Sequence, residues 1–323
     1  MDEKTRESRI PTIHIVADTI PQAQYRILKT LHEKGFKLRT EYDRTNPDGS
    51  YMDPPSRDAR VLVEVKTPFA QPRFSRTSYS EVGKYLAEVL GAKDHLVVPH
   101  KKLLELVSKG HEFEATDWPY CYHQRLTAYP CSDGRTINQL ELAVKKLARD
   151  PISRRAVAIT GVPEIDLFLK SDTPCLRELQ FRATEDRGAL VLHTFARWRS
   201  RDSYKAWGDN TDAITDLVQI EVAEPLSRLT GKKVIIGPYS EENGSLHIYG
   251  QDYTTKGMDK FFEVNPTEEE FLARSMTSSE ALDLRILPEL EELRGESSWR
   301  FPPKSLEIID MLINGFKSGK FIP

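Results

Sequence analysis

Apolar residues recur at the spacing of an amphipathic helix in several stretches of the chain. The first stretch follows Pro21, which is tolerated in a first helical turn, and Gly35 marks its expected end near Lys34. The same spacing predicts helices over residues 80–90, 101–109, 137–149 and 211–229, the last of them N-capped, and a mostly helical region from 258 onward.

Short runs rich in β-branched residues lie between these helices and predict strands. They cover residues 10–16, 59–65, 156–162, 176–182, 190–199, 233–236 and 245–249. The acidic turn from Glu185 to Gly188 joins two strands in a hairpin-like arrangement, whereas the polar residues 240–244 are expected to form a loop. Because no repeat interrupts this pattern, we expect a single α+β domain over residues 1–323, built round one sheet.

Composition narrows the classes of function. A chain of 323 residues with 39% hydrophobic content can bury a sizeable core. Its 46 basic and 49 acidic residues give a formal charge of -3, so there is no basic excess for a nucleic-acid backbone. The first residues are charged, and no apolar run is long enough for a membrane span. We therefore expect a cytoplasmic protein with neither DNA nor membrane as a partner.

The three cysteines indicate a free thiol. Cys121, Cys131 and Cys175 form no CxxC pair and cannot all pair in disulfides, which is typical of a reducing compartment, and no metal is expected. A lone cysteine is more often a buried, inert side chain than a nucleophile. Cys175 differs because Arg199 ends the next predicted strand, and a guanidinium group near a thiol stabilises the reactive thiolate.

Four motifs follow one another in a definite order. They are Arg154-Arg155, Pro174-Cys175 with Gln180-Phe181, Arg199-Ser200-x-Asp202 with Asn210, and His247-x-Tyr249. Each motif alone would usually be an ordinary surface or strand feature. Together, their order and spacing resemble those of the thymidylate synthase family over residues 118–249, and more weakly before residue 118. The N-terminal half is similar to the divergent, archaeal-type branch of that family.

The resemblance implies an architecture and a reaction. A member of the family would be an α+β homodimer, formed through a mixed sheet flanked by helices. The chain would comprise a divergent N-terminal part (10–117), a part with the catalytic motifs (118–253) and a helical C-terminal part (254–323). Cys175 would add to C6 of a pyrimidine nucleoside monophosphate, so that C5 accepts a carbon from 5,10-methylenetetrahydrofolate. Arg199 would bind the phosphate and stabilise the thiolate. The other catalytic residues implied are Asp202 and, for water and proton movement at the base, Glu88 and Tyr120 (or Tyr122).

The resemblance also implies a set of substrate-binding residues. Arg57, Arg154 and Arg155 would complete a phosphate clamp, the last two coming from the partner subunit. Asn210 would read the uracil edge, since an amide offers both a donor and an acceptor. The remaining residues implied are Gln180, Ser200 and, for the sugar 3′-hydroxyl, His247 and Tyr249.

Two departures from the family pattern leave the reaction open. Leu176 stands where a histidine usually follows the nucleophile, and residues 318–323 differ from the small apolar tail of many members. Reductive methylation of dUMP to dTMP is the leading interpretation, and hydroxymethylation of dUMP, dCMP or CMP is the alternative. Asn210 favours uracil. Its neighbour is Asp209, so this interpretation requires that Asn210, and not Asp209, occupies the base-reading position.

Two other classes of function have weaker support in the sequence. A nucleotide-binding relative without turnover would explain Leu176, but the joint presence of Cys175 and the arginine motif argues against it. A cysteine hydrolase would pair Cys175 with His193 or His247, and no local motif supplies the base and oxyanion hole that it needs.

Overall fold

The computed structural model describes residues 9–76, 81–109, 118–170, 173–297 and 301–321. Its central feature is a β-sheet. Within these residues the strands are β1 (Thr12–Ala17), β2 (Phe36–Leu38), β3 (Ser56–Val65), β4 (Tyr129–Pro130), β5 (Thr136–Ile137), β6 (Val157–Ile159), β7 (Leu176–Asp186), β8 (Ala189–Trp198), β9 (Arg201–Asp202) and β10 (Val234–Ile248).

The central sheet has the strand order β1-β3-β10-β8-β7-β6, with β2 beside β3 and β9 beside β10, while β4 and β5 pair separately. β1 is parallel to β3, and both β8 and β9 are parallel to β10. The other neighbouring strands in this sheet are antiparallel. The mixed sheet predicted from the sequence is therefore confirmed.

Helices account for most of the rest of the described chain. They are α1 (Ile20–Lys34), α2 (Val82–Val89), α3 (His100–Val107), α4 (Tyr122–Thr127), α5 (Gln139–Arg149), α6 (Pro163–Asp166), α7 (Trp207–Val218), α8 (Glu224–Thr230), α9 (Gly250–Thr255), α10 (Phe261–Val264), α11 (Glu268–Arg274), α12 (Ser278–Ala281), α13 (Leu287–Ser297) and α14 (Pro303–Lys317). In the ranges described, no helix has the length and apolar character needed to cross a membrane. The α+β class is confirmed, while the division into three parts stays a prediction.

The two faces of the sheet differ in burial. In β3, Val61 and Val63 are buried in the core, whereas the alternate residues Arg60 and Leu62 are exposed. Such alternation is typical of a sheet with one covered face. Two hydrophobic clusters lie on the covered face, one around β7, β8, α5 and α7 and the other around β1, β3 and α1. The opposite face carries partly exposed apolar side chains, namely Leu62, Ile159, Phe195 and Ile235.

Local signals in the sequence placed two elements correctly. The side chain of Thr19 accepts a hydrogen bond from the Gln22 amide at the start of α1, and the helix ends before Gly35. The hairpin between β7 and β8 turns at Arg187 and Gly188, both with positive φ (48° and 82°). Two consecutive positive φ values define the turn that matches the twist of a β-hairpin. Both predictions are confirmed.

The loop expected over residues 240–244 is wrong, because β10 continues through it. Glu241 and Asn243 lie on the covered face of the strand and are buried. The Glu241 carboxylate accepts hydrogen bonds from Arg201 Nη1 (2.6 Å), from Trp207 Nε1 (2.6 Å) and from the Tyr239 hydroxyl (2.8 Å). A polar run forms a strand here because distant residues satisfy its buried carboxylate.

The helix expected over residues 211–229 also needs correction. It begins earlier, at Trp207, and no side chain caps its start. A π-helical turn at Gln219–Ala223 separates α7 from α8, and Gly231 ends α8 in the left-handed conformation. The apolar stripe predicted the buried face of the helix, but tertiary packing determined where the helix begins.

A buried ion cluster anchors α7 to the segment before α2. Arg73 is fully buried, with Nη2 2.8 Å from Asp216 Oδ1 and Nε 3.3 Å from Asp212 Oδ1. Nη2 also donates to the Thr215 hydroxyl (3.0 Å). Burial raises the pKa of Asp216 to about 6, and Arg73 opposes that increase. The guanidinium is thus the counter-charge for two buried carboxyl groups.

We expect Arg73→Leu to destabilise the fold by about 3–5 kcal/mol near neutral pH, because Asp212 and Asp216 would remain buried without a counter-charge. A carboxyl whose folded pKa is raised stabilises the fold below its unfolded pKa, and that contribution is lost as pH rises through the folded value. Without Arg73 the folded pKa of Asp216 rises further, so the deficit relative to wild type should shrink as pH falls from neutral to about 6, the folded value in the wild type, and stay constant below it. Urea denaturation at several pH values measures both effects.

Lys317→Ala is the matched control, because its partner Glu291 is about equally exposed (54% and 53% of the side chains). An exposed ion pair contributes little to the free energy of unfolding. Equal destabilisation by the two substitutions would contradict the importance assigned to Arg73.

Candidate functional site

Four strands of the sheet bring their ends to one edge. β7 is antiparallel to β8, so its first residue Leu176 pairs with Trp198 at the end of β8. β10 is parallel to β8 and places Asn243 beside Trp198. β3 is antiparallel to β10 and pairs Asp58 with His247. Residues at the starts of β3 and β7 therefore meet residues that follow β8 and end β10.

A cavity of about 360 Å³ lies at this edge. Its size falls in the range of small-ligand sites. It is lined by Leu38, Thr40, Glu41, Tyr42, Ser56, Asp58, Tyr120, Thr173, Cys175, Arg199, Ser200, Ser245, His247 and Tyr249. Six of the residues predicted for the site are among them: Tyr120, Cys175, Arg199, Ser200, His247 and Tyr249.

Cys175 presents a free, half-buried thiol to the cavity. Its Sγ lies 3.7 Å from the Ser200 hydroxyl oxygen. Arg199 holds the turn before β7, since Nη2 donates to the Thr173 carbonyl (2.8 Å) and its own amide donates to the Cys175 carbonyl (2.8 Å). The guanidinium group therefore lies beside the segment that carries the thiol, where it can stabilise negative charge in the cavity.

Two neighbouring tyrosines have different positions at Cys175. The Tyr122 hydroxyl oxygen accepts hydrogen bonds from the amides of Cys175 (3.1 Å) and Leu176 (3.2 Å), whereas Tyr120 lines the cavity. The two rings lie close together, with centroids 5.5 Å apart. The Tyr122 hydroxyl is thus committed to the backbone at Cys175, whereas Tyr120 faces the space where a molecule would bind. Burial raises the pKa of both groups, so both stay protonated.

His247 and Tyr249 lie on the opposite wall. Their rings pack edge to face with centroids 4.5 Å apart. Ser245 Oγ lies 3.2 Å from His247 Nδ1 and 2.6 Å from Asp58 Oδ2. Burial lowers the pKa of His247 and raises that of Asp58. The ring is therefore neutral near pH 7.

Asp202 lies behind this wall. Its Oδ1 accepts from the amides of Tyr204 (2.9 Å) and Lys205 (3.0 Å), so the carboxylate caps the turn after β9. Lys205 Nζ bridges Asp202 (3.3 Å) and the buried Asp252 (3.0 Å). Burial, with the nearby Asp202, raises the pKa of Asp252 to about 6. The lysine thus neutralises two acids beneath His247.

Several predicted residues lie outside the cavity lining. Glu88 forms an ion pair with Lys93 (2.8 Å). Asn210 is half-buried in α7, and the adjacent Asp209 is fully buried and paired with Arg285 (3.1 Å). The structure thus commits Asp209 to a contact within the fold and leaves the role of Asn210 a prediction.

The predicted phosphate ligands are also apart from the cavity within this chain. Arg57 lies in a separate groove with three other cations, Arg9, Lys34 and Lys37. Arg154 and Arg155 are exposed beside β6, and Gln180 donates to the Arg154 carbonyl (3.0 Å) on the open face of the sheet. Arg199 is the predicted phosphate ligand that this chain itself brings to the cavity.

The sequence interpretation missed a polar pair and a loop. Asp58 and Ser245 line the cavity without an assigned role, although Ser245 is two residues from His247 and hence shares its face of the strand. Residues 40–42 line the cavity as well. Their loop is fastened where the Asp53 carboxylate accepts from Arg44 (2.6 and 2.7 Å), and a Cβ on Gly250 would collide with the Pro54 carbonyl.

Comparisons with known proteins identify relatives with similar sequences. No family model matches the chain. A protein of Methanocaldococcus jannaschii named "Putative thymidylate synthase" is 35% identical over 134 residues, which are 40% of this chain and 55% of the relative. A protein of the same name from Methanococcoides burtonii is 24% identical over 74% of this chain and 90% of its own length. The deoxyuridylate hydroxymethyltransferase of Bacillus phage SP01 is 26% identical over 64% of this chain and 54% of that protein.

Solved structures agree at the level of the fold. Thermostable thymidylate synthase A from Bacillus subtilis superposes with a TM-score of 0.50 and 18% identity, covering 75% of this chain and 84% of that one. The chain has the fold of thymidylate synthase and is similar in sequence to proteins named putative thymidylate synthase.

The two tyrosines of this thymidylate synthase relative should respond differently to loss of the hydroxyl. Tyr122→Phe should destabilise the fold by about 1–3 kcal/mol, because two buried amides would lose their acceptor. Tyr120→Phe keeps those bonds, so its unfolding free energy should stay close to wild type while turnover falls. Denaturant unfolding and initial rates of both variants measure this. Equal loss of stability in the two variants would contradict the assignment.

Proposed function

We propose that this enzyme transfers a one-carbon unit from 5,10-methylenetetrahydrofolate to C5 of dUMP and reduces it, giving dTMP. The observation that supports this most directly is the Cys175 thiol in a nucleotide-sized cavity, with Arg199 beside it and a tyrosine hydroxyl facing the same space. C5 of uracil is a poor nucleophile until a thiolate adds at C6. The cavity combines a thiol for this step with groups that can hold the base and the sugar.

Each residue has a role that its position supports. Cys175 would add to C6 while Arg199 stabilises the thiolate and the phosphate. Tyr120 would donate its hydrogen to a base oxygen or to the water beside it. His247 and Tyr249 would bind the sugar. Asn210 would read the base.

The lining also suits a flat folate ring. The side chain of Tyr42 is about half exposed at the loop, and its ring centroid lies 6.2 Å from that of Tyr249. Aromatic faces of this kind stack on a heteroaromatic ring. When bound, the folate supplies the carbon and, for methylation, a hydride. Tyr42 and Tyr120 would orient it over the nucleotide.

Hydroxymethylation is the second candidate function. It is favoured by the similarity to the phage deoxyuridylate hydroxymethyltransferase. In that reaction water, rather than hydride, adds to the exocyclic carbon. The choice depends on how completely the cavity excludes water at C5.

We also propose a homodimer formed through the open face of the sheet. The exposed apolar side chains on that face would be covered in a dimer. Arg154 and Arg155 lie next to it, and the salt bridges recorded for the described residues include neither guanidinium group. A dianionic phosphate needs several fixed donors, and the partner's arginines would supply them.

Cys175→Ser should reduce turnover by at least about a thousandfold while nucleotide binding remains, because base and phosphate contacts do not involve the thiol. Product mass analysis of the wild type with methylenetetrahydrofolate and dUMP, dCMP, UMP or CMP identifies the reaction. A mass gain of a methyl group on dUMP supports methylation, and a hydroxymethyl group supports the second candidate.

Cys121→Ser and Cys131→Ser are the controls and should retain activity. All three cysteines are free, as in proteins of a reducing compartment such as the cytosol. Burial raises the pKa of Cys121 far above its ordinary value, which makes it unreactive. A Cys175→Ser enzyme within about tenfold of the wild-type rate would contradict covalent catalysis.

Subunit mixing tests the dimer and the arginine pair together. Cys175→Ser and Arg154→Ala homodimers should each be inactive. In the mixed dimer one site combines an intact thiol with an intact partner arginine, so activity should return to about a quarter of wild type after random exchange of subunits. In the control mixture, Arg135→Ala replaces Arg154→Ala, because Arg135 is an exposed cation that pairs locally with Asp133. No recovery in the mixture would contradict the shared site.

A further inference from the structure

A hydrogen-bonded chain of three side chains links two strands at the cavity. Asp58 lies near the start of β3, and Ser245 and His247 lie near the end of β10. The Ser245 oxygen is 2.6 Å from Asp58 Oδ2 and 3.2 Å from His247 Nδ1. All three residues line the cavity that contains Cys175.

The chemistry of the groups sets the direction of these bonds. An ionised carboxylate only accepts, so the single hydroxyl hydrogen of Ser245 is donated to Asp58. The serine oxygen can then interact with Nδ1 only as an acceptor, and Nδ1 must carry the hydrogen. His247 is neutral near pH 7, because burial lowers its pKa. A neutral imidazole protonated at Nδ1 has an unprotonated Nε2.

This leaves an acceptor without a partner. Nε2 of His247 is buried and has no hydrogen-bond partner among the described residues. Leaving a buried polar atom unpaired is unfavourable, so a bound group with a hydroxyl hydrogen would complete the arrangement. We propose that Asp58 is a positioning residue that acts through Ser245 to hold His247 as an acceptor for a hydroxyl of the nucleotide sugar.

The identity of the ligand in this inference rests on the proposed function. The tautomer of His247 does not depend on that function. The sequence motif includes His247 and leaves Asp58 without a role. The structure adds the carboxylate as the group that decides whether the ring accepts or donates. A ring that donated from Nε2 would bind the oxygen of such a hydroxyl instead, and the hydroxyl hydrogen would then need another acceptor.

The tautomer can be measured without any nucleotide. Long-range proton–nitrogen spectra of the protein with labelled histidines report which nitrogen carries the hydrogen, and His247→Gln identifies the signal among the eight histidines. We expect Nδ1–H in the wild type and a shift toward Nε2–H in Asp58→Asn and Ser245→Ala. Ser245→Thr keeps the hydroxyl and should restore the wild-type tautomer.

Asp186→Asn is the matched control. It makes the same change of carboxylate to amide at the far end of β7, where Asp186 pairs with Ala189 in the hairpin. Its spectrum should match the wild type. An Nε2–H tautomer in the wild type, or a tautomer unchanged in Asp58→Asn, would overturn the proposal even if either variant proved hard to purify.

Binding then tests the link to the sugar. Calorimetry compares dUMP with 2′,3′-dideoxyuridine monophosphate, which lacks the 3′-hydroxyl. Asp58→Asn should weaken dUMP binding by about tenfold and leave the dideoxy compound unchanged, because only dUMP uses the acceptor. A similar loss for both nucleotides would indicate a structural role for Asp58 and overturn the proposal. If neither nucleotide binds the wild type, the proposed function falls, and the tautomer measurement still decides the role of Asp58.

Discussion

The buried carboxylate of Glu241 constrains the whole sheet. It accepts four hydrogen bonds, from Arg201, Trp207, Tyr239 and Asn243, over distances of 2.6–2.8 Å. These partners come from β9, the start of α7 and β10 itself. A buried charge is tolerated only when it is this well satisfied, so these elements can adopt essentially one arrangement. Arg201 also lies 4.0 Å above the Trp198 ring, which joins the end of β8 to the same cluster.

The candidate site depends on this constraint through the register of β10. Because β10 is one strand, its last residues continue past β8 and pair with β9 on one side and the start of β3 on the other. That pairing brings His247 next to Asp58 and Asp202, while β8 carries Arg199 to Cys175. A slip of one residue would move the His247 ring to the opposite face of the sheet. The thiol and the wall formed by His247 and Tyr249 are therefore positioned by the same strand pairing.

The open face of the sheet connects the fold to the proposed assembly. Its apolar side chains lie on the strands whose other face supports the core, so covering them would bury both sides of β3 and β8. The arginine pair at the end of β6 lies beside this face and away from the cavity of its own chain. Within one chain, Arg199 is the one predicted phosphate ligand that lines the cavity. In the proposed dimer, the arginine pair of a second chain would complete the clamp, as the family resemblance also implies.

Short-range signals in the sequence determined α1, the β7–β8 hairpin and the order of motifs around Cys175. Caps, turn residues and periodicity act over a few residues and can be recognised locally. Only the tertiary structure decided that residues 240–244 continue β10, that Tyr120 lines the cavity while Tyr122 binds the backbone at Cys175, and that Asp58 belongs beside His247. The reason is that polar residues become buried when partners distant in sequence satisfy them, and one-dimensional patterns do not contain those pairings.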